Sequence, residues 1–505
     1  MMRQNRTANA VIGCCVTLVL VMSAVTGVNL ALKGVSLELG ATSGDLTWVA
    51  DAYTVALAAL VLPFGAIGDD FGRKRALIAG TIVFGVAAAI AGTADSVELV
   101  IAMRAVMGVG AAMAMPATLS TITTVLGADQ RERGVALWSG FAAAGAVIGL
   151  VLSGALLEEF SWRSTFYGTA IFAAVTLVAV IILVPDTKSG ETPSPDLLGA
   201  LGVILGVGAG VYGLIEGSEK GWNDPHTLIA FAVAAVGIAV YGVVDARREH
   251  PMLDPRLFLI RRFTVGFVSL VAQFLGTFGF FFVSLQYIEL VLDFGPLKTA
   301  SAYLPLAAVV LLLSVIVPRV EKVTGATPLI LLGFACMTVG FAFLAGLDAG
   351  SDNIDFLWPS IIFGGGLAFA GTPSTSVIVN ALPPAKQGVA SAVNDVTREL
   401  GAAIGIALLG SLFSARYSAD AALPTSVEDA VRSAVEQSPA AGIAVASDPR
   451  LGPQGHEIAA HVTDAISSAL QYSFTVGAVT VGVIGVVLAV LSASRPPIAA
   501  HRERP

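Results

Sequence analysis

Fourteen long apolar runs, separated by short charged or glycine- and proline-rich breaks, constrain this chain more than any other feature. They cover roughly 11–32, 46–67, 76–94, 99–118, 134–157, 164–184, 197–216, 227–245, 263–290, 300–318, 328–347, 358–380, 389–413 and 470–493. About 20 apolar residues in a helix cross the roughly 30 Å hydrocarbon core of a bilayer, and these runs are of that order. Inside lipid a backbone must satisfy its own hydrogen bonds, which a helix does within one segment. The expectation is an all-α integral membrane protein with fourteen spans, both ends of the chain on one side.

Charge distribution sets the orientation. With the N-terminus in the cytoplasm, 19 Lys or Arg lie in or beside the inside segments, 7 lie outside, and Arg104 and Arg398 fall within spans. That bias satisfies the positive-inside rule and predicts a multi-pass cell-membrane protein with both termini cytoplasmic. The heaviest basic cluster, Arg247, Arg248, Arg256, Arg261 and Arg262, follows the eighth span. Arg3 and Arg6 before the first run resemble the start of a secretory signal, but the spans that follow mark a retained first helix. A net charge of −8 gives no footing for nucleic acid, and only 13% of the 505 residues are charged. Cys14, Cys15 and Cys336 sit in apolar runs without disulfide or metal spacing. His456 and His461 are five apart rather than the four that would put them on one helix face, so no metal is expected.

Between spans two and three lies a charged hinge, Gly65 to Leu77, with Asp69 and Asp70 followed by Gly72, Arg73, Lys74 and Arg75. Glycines, acids and bases in this order predict a tight polar turn at the membrane surface. Gly65, Asp69, Gly72, Arg73, Lys74 and Arg75 resemble the loop between helices two and three of the major facilitator superfamily. The resemblance continues along the chain. Arg104, followed by glycines and closing on Pro116, is similar to the intramembrane arginine that the family associates with proton coupling, with Met107 where a Gln is usual. Gly145, Gly149 and Gly154 in span five, followed by Ser161, Trp162 and Arg163, resemble the glycine-rich antiporter motif of exporters, with Leu150 and Ser153 in place of its Pro and Gly. Span thirteen, from Gln387 to Gly405, is similar to the corresponding span of the fourteen-helix drug:proton antiporters. Span one departs from the pattern: Ala24 stands for the usual acid and Lys33 for the usual proline.

The resemblance implies a major facilitator fold of six, two and six helices with two pseudo-symmetric halves. The expected divisions are residues 1–184 for the first half, 185–262 for two inserted helices with a basic cytoplasmic segment, and 263–505 for the second half. The second half carries a long external loop at 414–469, in which Val427, Val431, Ala434 and Val435 have helical spacing behind a Thr425 or Ser426 cap. A weak echo of the hinge appears at Val317 to Gly325, with Lys322 at the place of Asp69. Such repeats, with a site between them near the midplane, are a mark of secondary transporters.

Ionisable groups within spans are costly and usually line a cavity or pair with one another. Asp51 lies about five residues into span two, roughly 8 Å deep at 1.5 Å per residue, and at that depth can exchange protons near neutrality. Asp395, Arg398 and Glu399 share one turn of span thirteen, one base between two acids. These four and Arg104 are the candidates for proton coupling. Asp69 could dock on the exposed N–H groups that begin span thirteen, an anion at a helix N-terminus, and so latch the halves. Asn29, Gln273, Phe278 and Glu289 are weaker candidates for a substrate cavity, where Phe278, Phe280, Phe281 and Phe282 cluster.

No phosphate-binding loop for ATP is present, and no nucleophile, base and orienting group fall together, so neither an ATP-driven pump nor an enzyme is expected. The resemblance implies a monomer in the bilayer, without a cofactor, that exports small lipophilic or cationic compounds in exchange for protons down a gradient. Export of one endogenous metabolite or lipid is the alternative among transporters, and a non-transporting receptor or scaffold the alternative outside them.

Overall fold

The structure, a computed structural model, describes residues 2–41, 43–126, 128–187, 197–245, 253–382, 386–424 and 427–493. The first six spans are α1 (Met2–Leu39), α2 (Ser43–Phe71), α3 (Arg73–Gly92), α4 (Val97–Val125), α5 (Ala128–Glu159) and α6 (Arg163–Leu183). The inserted pair is α7 (Leu197–Val203) and α8 (Ala209–Lys220), joined by a π-helical turn at Ile204–Gly208, and then α9 (Pro225–Asp245). The last six spans are α10 (Arg261–Leu290), the short α11 (Pro296–Ala302) running into α12 (Leu304–Thr324), α13 (Ala326–Leu344), α14 (Asn353–Val379), α15 (Gln387–Asp420) and α18 (Pro453–Ala493). Two short helices, α16 (Asp429–Gln437) and α17 (Pro439–Ala446), lie between α15 and α18. Fourteen helices are long and apolar enough to cross a membrane, and no strand occurs among the described residues. Arg247 and Arg248, and the Thr425 and Ser426 cap, lie outside the described residues.

Turns follow local chemistry. Ser96 caps α4 by accepting from the Leu99 N–H, and Asp352 with Asp355 forms a reciprocal capping box on α14. Gly72 at φ +115° and Gly325 at φ +81° are the single residues between α2 and α3 and between α12 and α13. Both positions need the left-handed region that glycine alone enters without strain. The charged hinge is therefore shorter than a turn of solvated residues, because its acids and bases belong to the helix ends on either side.

The face on which α1 begins and α18 ends is called the near face below, and the opposite one the far face. Most of the sequence-based span limits fall within a few residues of the helix ends. The first and last spans differ most, α1 running from Met2 to Leu39 against the expected 11–32. The α15 helix runs to Asp420 and α18 starts at Pro453, so the expected 414–469 loop shrinks to a helical segment around α16 and α17. Ile458, Val462, Ala465, Ile466 and Ala469 are buried at helical spacing along the added turns of α18, opposite polar residues. That alternation lowers the average hydropathy, so the span looks shorter than the helix.

One apolar core occupies α1 to α6 and a second occupies α10 to α18. They are not independent. Ile378 and Val379 of α14 and Val389 and Val393 of α15, all toward the near face, belong to the first core, and Val147 and Leu150 of α5 belong to the second.

Candidate functional site

A cavity of about 590 Å³ lies between the two halves. That is within the roughly 300–1,000 Å³ of small-molecule sites. Leu46 and Thr47 of α2, Leu285 and Gln286 of α10, and Ser414 of α15 line it toward the far face. Met22, Trp138, Gln273 and Arg398 line its deeper end.

Beyond that depth the halves touch. A Cβ on Gly65 would stand 2.6 Å from the Ala392 Cβ and 2.8 Å from the Gly388 carbonyl oxygen, so α2 and α15 approach as closely as two backbones can. On the other side, a Cβ on Gly140 of α5 would stand 2.6 Å from Ser314 Oγ of α12. Asp69 sits beside the first contact. Its Oδ2 accepts from the Gly388 N–H at 2.6 Å and the Val389 N–H at 3.3 Å, the unsatisfied donors at the start of α15. Its Oδ1 accepts from Arg73 Nε at 2.9 Å and Nη2 at 2.6 Å, while Arg73 Nη1 donates to Thr124 Oγ1 at 2.5 Å. Asp69 is 4% exposed and Arg73 1%, so this ion pair is packed inside the protein. Lys74 donates to the Ile181 carbonyl at 2.8 Å, and Arg75 is exposed.

Arg104 is fully buried, and its guanidinium goes to backbone carbonyls rather than to a carboxylate. Nε donates to Val49 O at 2.8 Å, Nη2 to Ala50 O at 2.9 Å and Nη1 to Ala24 O at 3.3 Å, with the Tyr53 ring 4.8 Å from its carbon. Ala24 thus contributes its carbonyl where the superfamily pattern has an acid. Asp51 lines the cavity and lies in the electrostatic field of Arg104.

The α15 cluster divides. Glu399 and Arg398 line the cavity, whereas Asp395 is fully buried behind it. Arg398 lies between the Trp138 and Phe274 rings, 4.9 and 4.6 Å from their centroids, with Nη2 3.6 Å from Met22 Sδ. Two aromatic faces stabilise a desolvated cation by roughly 2 kcal/mol or more. Asn394 Nδ2 reaches Asp395 Oδ1 at 3.4 Å, and Asp395 Oδ2 and Arg398 Nε and Nη1 have no hydrogen-bond partner among the described residues. Asp395, Arg398 and Glu399 form no ion pair within 4.0 Å of one another among the described residues.

Of the weaker candidates, Asn29, Gln273 and Phe278 line the cavity; Glu289, one turn past Leu285, does not. Asn29 Nδ2 spends itself on the Val25 and Thr26 carbonyls, and Gln273 Nε2 donates to Leu367 O at 3.1 Å. The phenylalanine cluster separates by helix geometry. Phe274, Phe278, Phe281 and Phe282 follow the i, i+3, i+4 spacing of one face and line the cavity. Phe280, on the opposite side of α10, stacks on Phe363 at 4.7 Å inside the second core. In α5, a Cβ on Gly149 would stand 2.3 Å from Ser23 O and one on Gly145 2.9 Å from Met22 Cβ, so these glycines seat α5 on α1; Gly154 is buried. Helix α5 passes Leu150 as one helix. Beyond its end, Arg163 pairs with Glu38 at 2.8 Å, and Trp162 Nε1 donates to the other oxygen of that carboxylate.

Sequence reasoning missed Met22, Trp138 and Phe274 around Arg398, and Ile215 and Ser218 of α8 in the cavity wall. An apolar residue in a membrane helix carries no mark of whether it meets lipid or a cavity.

Comparison with known proteins agrees with this architecture. The chain is 32% identical over 406 residues to the multidrug efflux pump LfrA of Mycolicibacterium smegmatis, covering 79% of this chain and 80% of LfrA. It is 30% identical over 404 residues to the puromycin resistance protein pur8 of Streptomyces alboniger, covering 78% and 80%. In fold it is similar to the human organic anion transporter MFSD10 (TETRAN), with a TM-score of 0.65, 13% identity and coverage of 95% of this chain and 99% of that one. The sequence pattern of the Major Facilitator Superfamily matches residues 12–406, and the chain belongs to that superfamily.

Proposed function

We propose that the protein exports small lipophilic or cationic compounds in exchange for protons, by alternating access of one cavity to the two faces of the cell membrane. The near face is then cytoplasmic, and the chain works as a monomer without a cofactor. One observation carries this reading. The cavity joins a phenylalanine wall on α10 to two carboxylates, Asp51 of α2 and Glu399 of α15, and is closed toward the near face beside Asp69. Aromatic faces and carboxylates together suit an amphipathic cation. A carboxylate that takes a proton gives up its attraction for that cation, which supplies the differential affinity an exchange cycle needs. The relatives above, named for multidrug efflux and for puromycin resistance, support the same reading.

In this mechanism a proton entering from the far face neutralises Asp51 or Glu399, and the cation leaves. The protonated cavity then turns toward the near face as Asp69 leaves the Gly388 and Val389 N–H groups. There the proton is lost and a new cation binds.

The test is ethidium efflux from loaded cells, with and without a proton uncoupler, for the wild type, Asp51→Asn and Glu399→Gln. Wild-type efflux that the uncoupler stops, and that falls at least about tenfold in one of the two variants, is expected; tenfold corresponds to roughly 1.4 kcal/mol. Efflux that continues in the uncoupler would remove proton coupling. Efflux unaffected in both variants would remove these two acids.

A further inference from the structure

The inserted helices do not stand apart from the cavity. Helix α8 lies in the seam between α2 and α15, where Val211 and Ile215 pack with Ala58 of α2 and Ala403 of α15 as a small apolar cluster of their own. A Cβ on Gly208, at the end of the π-helical turn, would stand 2.9 Å from the Ala59 Cβ. Toward the far face, the Tyr212 ring packs on Trp48 at 5.2 Å. Glu216, 1% exposed, pairs with Lys220 at 2.8 Å. Behind the seventh span, a Cβ on Gly237 of α9 would stand 2.4 Å from the Gly206 N, so α9 is pressed against its lipid side.

This placement gives α8 two roles that a lipid-facing helix lacks. It fills the seam between the two halves, and it presents Ile215 and Ser218 to the cavity. In the seam between α5 and α12, Gly140 meets Ser314 directly. The same cavity lining carries hydroxyls and acids, Thr47, Asp51, Glu399 and Ser411, together with phenylalanines of α10.

Resting on the export reading above, we infer that α8 is a wall of the substrate cavity and that Ile215 and Ser218 help set which compounds it accepts. Ile215 supplies branched aliphatic surface for the apolar body of an amphipathic cation. The Ser218 hydroxyl donates to the Ile215 carbonyl at 2.8 Å and keeps its lone pairs as an acceptor, which favours substrates carrying an amine or hydroxyl donor beside their aromatic rings. The inserted pair is then part of the specificity apparatus rather than a passive linker.

Two measurements on the full-length protein test this. The first is labelling of Ser218→Cys by a membrane-impermeant maleimide applied from the far face, with and without ethidium, against His226→Cys as a control on the exposed first turn of α9. Ethidium is expected to slow labelling at 218 several-fold and leave 226 unchanged. The second is the ratio of ethidium to tetraphenylphosphonium export in Ile215→Ala and Ser218→Ala. A shift of roughly tenfold in one of them is expected, the discrimination that a few buried atoms confer on a pocket. Equal labelling with and without ethidium, together with an unchanged ratio while ethidium export continues, would overturn the inference and leave the export reading intact. If the wild type exports neither cation, both readings fall.

Discussion

Helices α2 and α15 meet in two different ways along their length. Toward the near face they touch directly, glycine against glycine and alanine, with Asp69 bonded to the α15 N-terminus and paired with Arg73. Toward the far face α8 stands in their seam, held by Val211 and Ile215 on alanines and by Tyr212 on Trp48. The first contact is short, directional and charged, so a small separation breaks it completely. The second is apolar and non-directional, and it tolerates sliding. A machine that must open one face and close the other needs both kinds of contact. One defines a state sharply, and the other keeps the wall continuous while the halves move.

The largest effect is expected from Asp69→Asn. The amide keeps an acceptor for the Gly388 N–H but removes the anion from the start of α15. It also leaves the Arg73 guanidinium without its counter-charge, a cost of about 3–5 kcal/mol that applies while this end is closed and buried and is relieved when opening admits water. That is enough to invert a balance between two conformations a few kcal/mol apart. Export should fall at least about tenfold. The distance between spin labels at Ile67 and Lys386, on the near-face ends of α2 and α15, should lengthen in the major population. An unchanged distance distribution would break the comparison, because the charged contact would not be what holds this end closed.

Gly65→Val should act next, on shape alone. Its Cβ would fall within 3 Å of the Ala392 Cβ and of the Gly388 backbone, and a backbone atom cannot swing aside as a side chain can. The helices must part, and Asp69 moves with α2 away from its two N–H donors. The same labels should report a longer distance, with the ion pair of Asp69 and Arg73 intact because both belong to the first half. Gly65→Ala should show a weaker form of the same change. If Gly65→Val opened nothing, the close approach would be incidental to closure.

The helices were legible because a long apolar run has one stable form in lipid. The hinge residues were legible because acids and bases next to glycines stand out against apolar helices, and the anion-binding start of α15 followed from its free N–H groups. Other features had no signature. The partners of Arg104 are carbonyls of Val49, Ala50 and Ala24, which every residue possesses, so only the packing of α1, α2 and α4 selects them. The early start of α18 was hidden because Ile458, Val462 and Ile466 share their turns with polar residues. Asp395, Arg398 and Glu399 are adjacent in sequence, yet their side chains part: Arg398 goes to Trp138 and Phe274, Glu399 faces the cavity, and Asp395 is enclosed. Sequence spacing places groups on a helix; it does not say which neighbours will cover them.

The smallest effect is expected at the far end of the comparison, from Trp48→Ala. It removes a ring pair worth about 0.5–1.5 kcal/mol beyond its buried area, and no charge is left unpaired. Nothing in the near-face latch depends on it, so the Ile67–Lys386 distance should stay as in the wild type. Helix α8 should loosen instead, and maleimide labelling of Ser218→Cys should rise by about two- to tenfold, the range that those energies correspond to. Trp48→Phe keeps an aromatic face for Tyr212 and should restore most of the protection. The contrast with Asp69→Asn is the point of the measurement. If Trp48→Ala also opened the near face, the two ends of α2 would be rigidly coupled, and the wall and the latch would be one device rather than two.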